Sequence, residues 1–401
     1  MQQFDVVVLG AGMVGAATAL GFARKGLNVA VVEPFMPAAF NAEQAPDLRV
    51  SAISMASENL LRSLGAWQHI QGMRAHPYRR LAVWEEEGNL TEFDAKACGH
   101  DHMGYMVENR IIQLGIHHEL KALENVQWFA AYTSLNSDTG EIILDGVAAK
   151  CALIVDAEGA NSPARIAAGI ATEGWQYKQS VLSITVKCKY QDYVRAAPHE
   201  QGSPLASDEN DTNITWQRFV PGGPKAFLPL FDNHAALIWY DQNATIKQLN
   251  ALSPSELKQS IVKAFPDRLP EFDIIETASF PLTRMHAKQY FRGKMVLVGD
   301  AAHTINPLAG QGVNLGFKDV AALLDCVSNV SEPHALADML MAYQKQRKPQ
   351  NLLMMSAMDA IYHVFQTESG PLKLMRNIGL DFANRMPWAK DKVMRYAMGL
   401  D

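Results

Sequence analysis

The chain has 401 residues, too long for one ordinary hydrophobic core, so two or three domains sharing interfaces are expected. Hydrophobic residues make up 48%, charged residues 19% and the formal charge is −6, a soluble globular composition with no basic stripe to hold nucleic acid. Cys98, Cys151, Cys188 and Cys326 lie far apart without a CxxC pair, which argues against a disulfide framework or a zinc site; free thiols in a reducing cytosol and no bound metal are expected.

Val6 to Ala23 carries no charge and is long enough to imitate a signal peptide or a membrane span. Met1 to Asp5 has no Lys or Arg, however, and glycines interrupt the run. A nucleotide-binding βαβ unit accounts for it better. Phe4 to Leu9 reads as a buried strand, Gly10, Gly12 and Gly15 supply GxGxxG, Ala16 to Arg24 reads as a helix, and a second strand, Asn28 to Val32, ends in Glu33. The three glycines serve a tight turn, close approach of a pyrophosphate and helix–strand packing. Glu33 stands about where a carboxylate binds a ribose 2′-hydroxyl, which favours FAD or NAD over NADP.

Asp47-Leu48-Arg49 precedes an apolar helix through Leu60, Leu61 and Leu64. Residues 78 to 93 alternate as strands do, and Gly104 to Leu123 reads as strand followed by helix, with Gln113 on the helix. Cys151 to Asp156 is a further buried strand running into Asp156-Ala157-Glu158-Gly159-Ala160-Asn161-Ser162. In the second domain Val181 to Val186, Thr215 to Phe219, Lys225 to Phe231 and Ala235 to Tyr240 read as antiparallel strands, with Asp232-Asn233-His234 turning the last two into a hairpin. Those two strands are apolar at odd and even positions alike, so both faces should be covered. One face packs on helices; the other is core as well, or lines an apolar cavity holding Phe227, Pro229, Leu237 or Trp239. Asp192 to Asn213 is polar and reads as a surface insertion.

Met295 to Val298 reads as a buried strand leading into GDAAHTINPLAGQGVNLGFKD, from Gly299 to Asp319. Val313, Phe317, Val320 and Leu324 then mark one face of a helix that begins near Gly312. Gly310 and Gly312 let backbone approach a flat ligand, and the helix N-terminus offers N–H groups and partial positive charge to an anion. The end of the chain is helical and methionine-rich. Met375, Ile378, Phe382 and Met386 sit at helical spacing among Lys373, Arg376, Arg385, Lys390, Lys392 and Arg395, so this segment lies on a membrane surface or partner, or packs on its own domain.

GAGMVG with Glu33, DAEGANS and GDAAHTINPLAGQG together resemble the group A flavoprotein aromatic hydroxylases, the FAD monooxygenases related to para-hydroxybenzoate hydroxylase. The resemblance spans nearly the whole chain. It implies that Gly10, Gly12, Met13, Val14, Gly15 and Glu33 hold the ADP half of FAD, and that Arg49 and Gln113 contact the pyrophosphate and ribityl region. It further implies that Gly299 and Asp300 meet the ribityl chain, with Pro307, Gly310, Gly312, Val313 and Asn314 against the isoalloxazine. Within the family, PDLRVSAIS from Pro46, HPYRRL from His76, GYMVEN from Gly104 and FPLTRMHAKQY from Phe280 look like the ubiquinone-ring hydroxylases. One departure stands out: Glu158-Gly159 replaces the family's Asp-Gly.

The fold so implied is α/β, a Rossmann-like FAD-binding domain of the glutathione reductase type with an inserted antiparallel-sheet substrate domain and C-terminal helices. Its expected boundaries are 1–73, 98–175 and 280–340 for the FAD domain, 74–97 and 176–279 for the substrate domain, and 341–401 for the C-terminal region. The implied reaction is hydroxylation of a polyprenylated benzoquinol with NAD(P)H as a transient co-substrate and O2, through a flavin C4a-hydroperoxide. His286 is the candidate proton acceptor and Arg284 a candidate phenolate partner. The expected setting is cytoplasmic, at the inner face of the membrane or beside a lipid-binding partner or ubiquinone-biosynthesis complex. A sister hydroxylase acting at another ring position, a flavin oxidase or dehydrogenase, and a non-catalytic flavin-binding assembly subunit stay open as alternatives.

Overall fold

The computed structural model describes residues 1–85, 90–189, 211–305, 312–330, 332–366, 392, 394–395 and 398–400. The chain begins β1 (Gln2–Leu9), α1 (Met13–Arg24), β2 (Val29–Val32), β3 (Val50–Ser54), α2 (Met55–Ser63) and α3 (Trp67–Met73). It continues through β4 (His76–Tyr78), β5 (Arg80–Trp84), β6 (Thr91–Asp94), β7 (Gly104–Glu108) and α4 (Asn109–Lys121). Strands β8 (Val126–Phe129), β9 (Tyr132–Asn136), β10 (Glu141–Leu144) and β11 (Val147–Asp156) come next, then α5 (Pro163–Ala167) and the long β12 (Thr172–Cys188). After these run β13 (Ile214–Arg218), β14 (Lys225–Pro229), β15 (His234–Gln242), α6 (Asn243–Asn250), α7 (Pro254–Ala264) and β16 (Phe272–Ala287). The last elements are β17 (Phe291–Arg292), β18 (Met295–Leu297), β19 (His303–Thr304), α8 (Gly312–Cys326) and α9 (Pro333–Gln366).

Two large sheets organise these elements. The first has the order β17-β18-β11-β1-β2-β8, with β9 and β10 added on β11. Its centre is parallel: Val6 is in register with Leu153 on one side and with Val29 on the other. Parallel strands need covering on both faces, and Val6, Val7, Val8 and Leu9 are indeed fully buried, with α1 and α8 among the covering helices. The second sheet runs β19-β16-β12-β15-β14-β13-β5-β6. It is antiparallel except where β13 lies parallel to β5, a pairing that joins the early hairpin to the later strands. A small third sheet, β3-β7-β4, lies beside them.

The βαβ start, the strand–helix unit carrying Gln113 and the β14–β15 hairpin fall where the sequence predicts them. The hairpin turn puts both Asp232 and Asn233 at positive φ, 48° and 57°, as a tight turn between right-twisted strands requires. Among the described residues no helix is long and apolar enough to cross a membrane. Met375, Ile378, Phe382 and Met386 lie outside the described residues, as does most of the polar run 192–213.

Candidate cofactor and substrate site

At the C-terminal end of β1 the chain turns through Gly10, whose φ of +87° suits glycine, and the Gly10 N–H donates to Val32 O at 2.8 Å. A Cβ on Gly15 would stand 1.9 Å from Gly10 O, so this glycine permits the contact of turn and helix. A Cβ on Gly12 would meet nothing within 4 Å. The three positions therefore divide the work as the spacing predicts: Gly12 faces open space at the helix start, where a ligand's phosphates can approach.

Ala11, between these glycines, is held on both sides. Its N–H donates to Glu33 Oε2 at 2.7 Å, and Glu33 Oε1 accepts from Phe35 N at 2.9 Å. Its carbonyl accepts from Gln113 Nε2 and from His117 Nε2, both at 2.8 Å. Gln113 thus braces the loop through one face of α4. His117, one turn further on, was not singled out from sequence although its spacing from Gln113 is the available signal. Burial pushes the His117 pKa down, against the hydrogen bond to Ala11.

The second motif packs directly on the first. Val14 of α1 lies against Gly299 and Gly316, whose Cβ atoms would fall 3.1 and 2.5 Å from its methyl groups. Met13 packs half-buried on the same core. Gly299 adopts φ +58° and donates its N–H to Asp319 Oδ2 at 3.1 Å. Asp300, the next residue, is open to solvent yet crowded: desolvation by surrounding protein raises its carboxyl pKa, while the charges of His303 and Arg49 oppose the rise. An acid that is accessible but enclosed marks a cleft. Arg49 is exposed there, its guanidinium 4.9 Å from the Phe280 ring centroid.

Helix α8 opens at Gly312 and Val313, as predicted, while Pro307 and Gly310 lie outside the described residues. The Asn314 side chain turns inward. Its Oδ1 accepts from Ser54 N at 3.0 Å and Ser57 Oγ at 2.8 Å, and its Nδ2 donates to Ala52 O at 2.8 Å, tying α8 to β3 and α2. The segment from Glu33 to Arg49 is also clamped, by two arginines the sequence reading did not select. Arg110 bonds both Asp47 carboxylate oxygens at 2.8 and 3.0 Å, and Arg74 donates to Ala42 O and Gln44 O at 2.7 and 2.6 Å.

Glu158, the departure from the family's Asp-Gly, caps α5: its Oε2 accepts from Ala164 N at 3.0 Å, and Tyr132 OH donates to the same carboxylate at 3.1 Å, while the Ser162 hydroxyl donates to Asp156 Oδ2 at 2.6 Å. Burial raises Asp156 to about 6, with the Ser162 hydroxyl bond opposing.

Three expectations need correction. The odd-numbered residues Phe227, Leu237 and Trp239 belong to a core closed by α6 and α7 through Ile246, Leu257 and Ile261, and Pro229 pairs with Ala235 of that core. The even-numbered side packs elsewhere: Ile238 and Tyr240 join Ile305 and Leu315, and Leu228 and Ala236 join Ala52 and Met106. Apolar residues at every position had left the choice of face undetermined. Next, His286 is 5% exposed, with Nε2 3.0 Å from Tyr290 OH. Asn351 Nδ2 donates to that hydroxyl, so the His286 Nε2 is engaged within the protein by a tyrosine that is itself held. Burial, then the nearby charges of His303, Lys348 and Arg284, lower the pKa of His286 to about 4. It is not a base aimed at a substrate. Arg284 is paired with Asp359 at 2.8 Å and stacked 4.3 Å from the Trp175 ring, so it does not stand free for a phenolate either. Met394 and Met398 at the end of the chain are buried beside Tyr78, Met106 and Leu230, so these two residues follow the own-domain alternative for the tail.

The metal expectation also meets one new grouping. His69, His118 and Glu119 bring ligand atoms within 4.8 Å of one another, although Glu119 is already engaged by Arg24 and by His69 Nε2 at 2.6 Å.

The recess thus joins a glycine turn with room at Gly12, a carboxylate at the end of β2, an accessible acid facing an arginine, and a helix N-terminus. Those features suit an extended dinucleotide such as FAD, with phosphates at α1 and a ring that can become anionic at α8. Comparison with known proteins agrees. The family described as FAD binding domain matches residues 3–357. The chain is 43% identical over 407 residues to 3-demethoxyubiquinol 3-hydroxylase of Escherichia coli K12, covering 100% of this chain and 99% of that protein. It is 31% identical over 452 residues to the mitochondrial ubiquinone biosynthesis monooxygenase COQ6 of Rattus norvegicus, covering 98% and 90%. Among solved structures, p-nitrophenol 4-monooxygenase PnpA from Pseudomonas putida DLL-E4 superposes with a TM-score of 0.78 at 18% identity, over 99% of both chains, a likeness of fold. The chain belongs to the FAD binding domain family and is one of its FAD-dependent monooxygenases.

Proposed function

We propose that this enzyme hydroxylates the benzoquinol ring of a polyprenylated ubiquinone precursor, 3-demethoxyubiquinol, using NAD(P)H and O2. The observation that carries this reading is the end-to-end likeness to the Escherichia coli 3-demethoxyubiquinol 3-hydroxylase. In this proposal the core around the parallel sheet is the FAD domain and the large antiparallel sheet supplies the substrate wall. FAD, when bound, takes electrons from the nicotinamide and activates oxygen.

The chain's own residues then have separable tasks. Gly10, Gly12 and Gly15 admit the pyrophosphate to the α1 N-terminus, and Glu33 receives the ribose hydroxyls. Arg49 offsets phosphate charge, and Asp300 accepts from the ribityl chain. The N–H groups of Gly312 and Val313 hold negative charge on the ring edge. Ile238, Ile305 and Leu315 form an apolar wall that keeps water away from the reacting ring.

A polyprenylated quinol resides in the bilayer, so the enzyme would meet it at the membrane surface or through a lipid-binding partner. The deciding experiment supplies a short-chain prenylated 3-demethoxyubiquinol, NADPH and isotopically labelled O2. The expected product carries one labelled oxygen atom at the ring carbon left open in the substrate. Oxidised quinone without added oxygen would favour a flavin oxidase, and a label elsewhere on the ring would favour a sister hydroxylase.

A further inference from the structure

We propose that Asp319, buried on α8, is a positioning residue for the cofactor. Its carboxylate fixes the loop that carries Asp300 and joins that loop to α9. Asp319 is fully buried, and its two oxygens divide between two structures. Oδ2 accepts from the Gly299 N–H at 3.1 Å and from His303 Nε2. These two donors stand on either side of Asp300, so one oxygen clamps both ends of the short loop. Oδ1 accepts from Arg347 Nε at 2.8 Å and Asn351 Nδ2 at 3.0 Å, both from α9.

Four donors use the accepting capacity of one carboxylate. Burial works against its charge, but His303, Arg347 and the Asn351 hydrogen bond outweigh it and hold its pKa below the ordinary range. The arrangement also continues outward. Asn351 donates to Tyr290 OH at 3.1 Å, Tyr290 meets His286 at 3.0 Å, and Tyr343 OH donates to Leu297 O at 2.9 Å at the end of β18. Gly299 is in the left-handed region at φ +58°, which glycine reaches without strain, and the Asp319 bond to its N–H fixes the orientation of that turn. A carboxylate that only balanced Arg347 would not need its second oxygen on both ends of that turn.

An amide cannot replace it. Every partner of Asp319 is a donor, so the NH2 of Asp319→Asn would face N–H groups on whichever side it took. At a temperature where the FAD-free protein is folded, Asp319→Asn is expected to raise the FAD dissociation constant at least about tenfold. The visible absorption bands of the flavin that still binds should also shift. Asn351→Ala, which touches only the Oδ1 side, should lower the unfolding temperature but change FAD affinity less than about threefold. His303→Leu supplies the second arm and decides the matter alone if Asp319→Asn does not fold. It keeps the Arg347 pair and removes one end of the clamp, so FAD affinity should fall and the flavin bands shift. The proposal is overturned if His303→Leu leaves affinity and spectrum as in the parent, or if FAD affinity tracks unfolding temperature equally across all three variants.

Discussion

Single residues in the two glycine motifs separate folding from binding. Gly15→Ala would place a methyl group 1.9 Å from Gly10 O, backbone that cannot swing aside, and overpacking of this kind costs about 1–3 kcal/mol or more. Gly12→Ala meets open space, so it should leave the unfolding temperature nearly unchanged while weakening FAD. Thermal unfolding with and without FAD reads both; equal losses of stability in the two variants would refute the division. His286 makes a second prediction at this scale. Its folded pKa of about 4 lies below the ordinary 6.5, so above pH 6.5 it imposes no protonation penalty. As pH falls the unfolded chain takes up a proton that the folded chain refuses, and the penalty is complete below about 4, amounting to ~3 kcal/mol. Asp156, raised to about 6, acts in the opposite direction, so the His286 contribution must be read as the difference between parent and His286→Gln in chemical unfolding at pH 7 and pH 5. Stability of the parent should fall more than that of the variant over this interval.

Among the elements, those with a strong local signal were legible in the sequence. The β1–α1–β2 unit has glycine spacing and an acid at its end, and the β14–β15 hairpin has a turn tripeptide between apolar runs. Which face of β14 and β15 meets the helices was not legible, because a strand apolar at every position carries no period that distinguishes its two sides. Only the packing of α6 and α7 on Phe227, Leu237 and Trp239 assigns them. His286 misled for a related reason: its residue type announces proton chemistry, whereas Tyr290, which meets its ring, is itself held by Asn351 of the distant α9. The tail offers another contrast. Basic residues around methionines left surface docking and packing on the protein both open, and Met394 and Met398 pack against Met106 and Leu230. Met394→Ala with Met398→Ala should therefore cost about 2–5 kcal/mol per buried side chain in unfolding experiments. Unchanged stability, with weakened binding to lipid vesicles, would return the tail to a docking role.

Over the whole molecule, the cofactor chemistry was readable because FAD is gripped by backbone at short, punctuated motifs, which survive as patterns in one dimension. The proposed substrate wall draws on β3, β7, β14, β15 and α9, whose apolar side chains meet only after two sheets are brought together. Long strands β12 and β16 join these regions: β16 pairs with β12 along most of its length and ends beside His303 in the flavin loop.

The brace on Ala11 bears on the thermodynamics of loading. Glu33 is fixed by the Ala11 and Phe35 amides, and the turn is fixed by Gln113 and His117, all from within the protein. A carboxylate oxygen that accepts one amide keeps a lone pair for a hydroxyl. The side chain therefore loses little rotamer entropy on capture, where a free glutamate would give up about 0.5–1.5 kcal/mol. If Glu33 receives the ribose as proposed, part of the ordering cost has been met in folding, so Gln113→Ala should weaken FAD mainly through a less favourable binding entropy in calorimetry, with the enthalpy little altered.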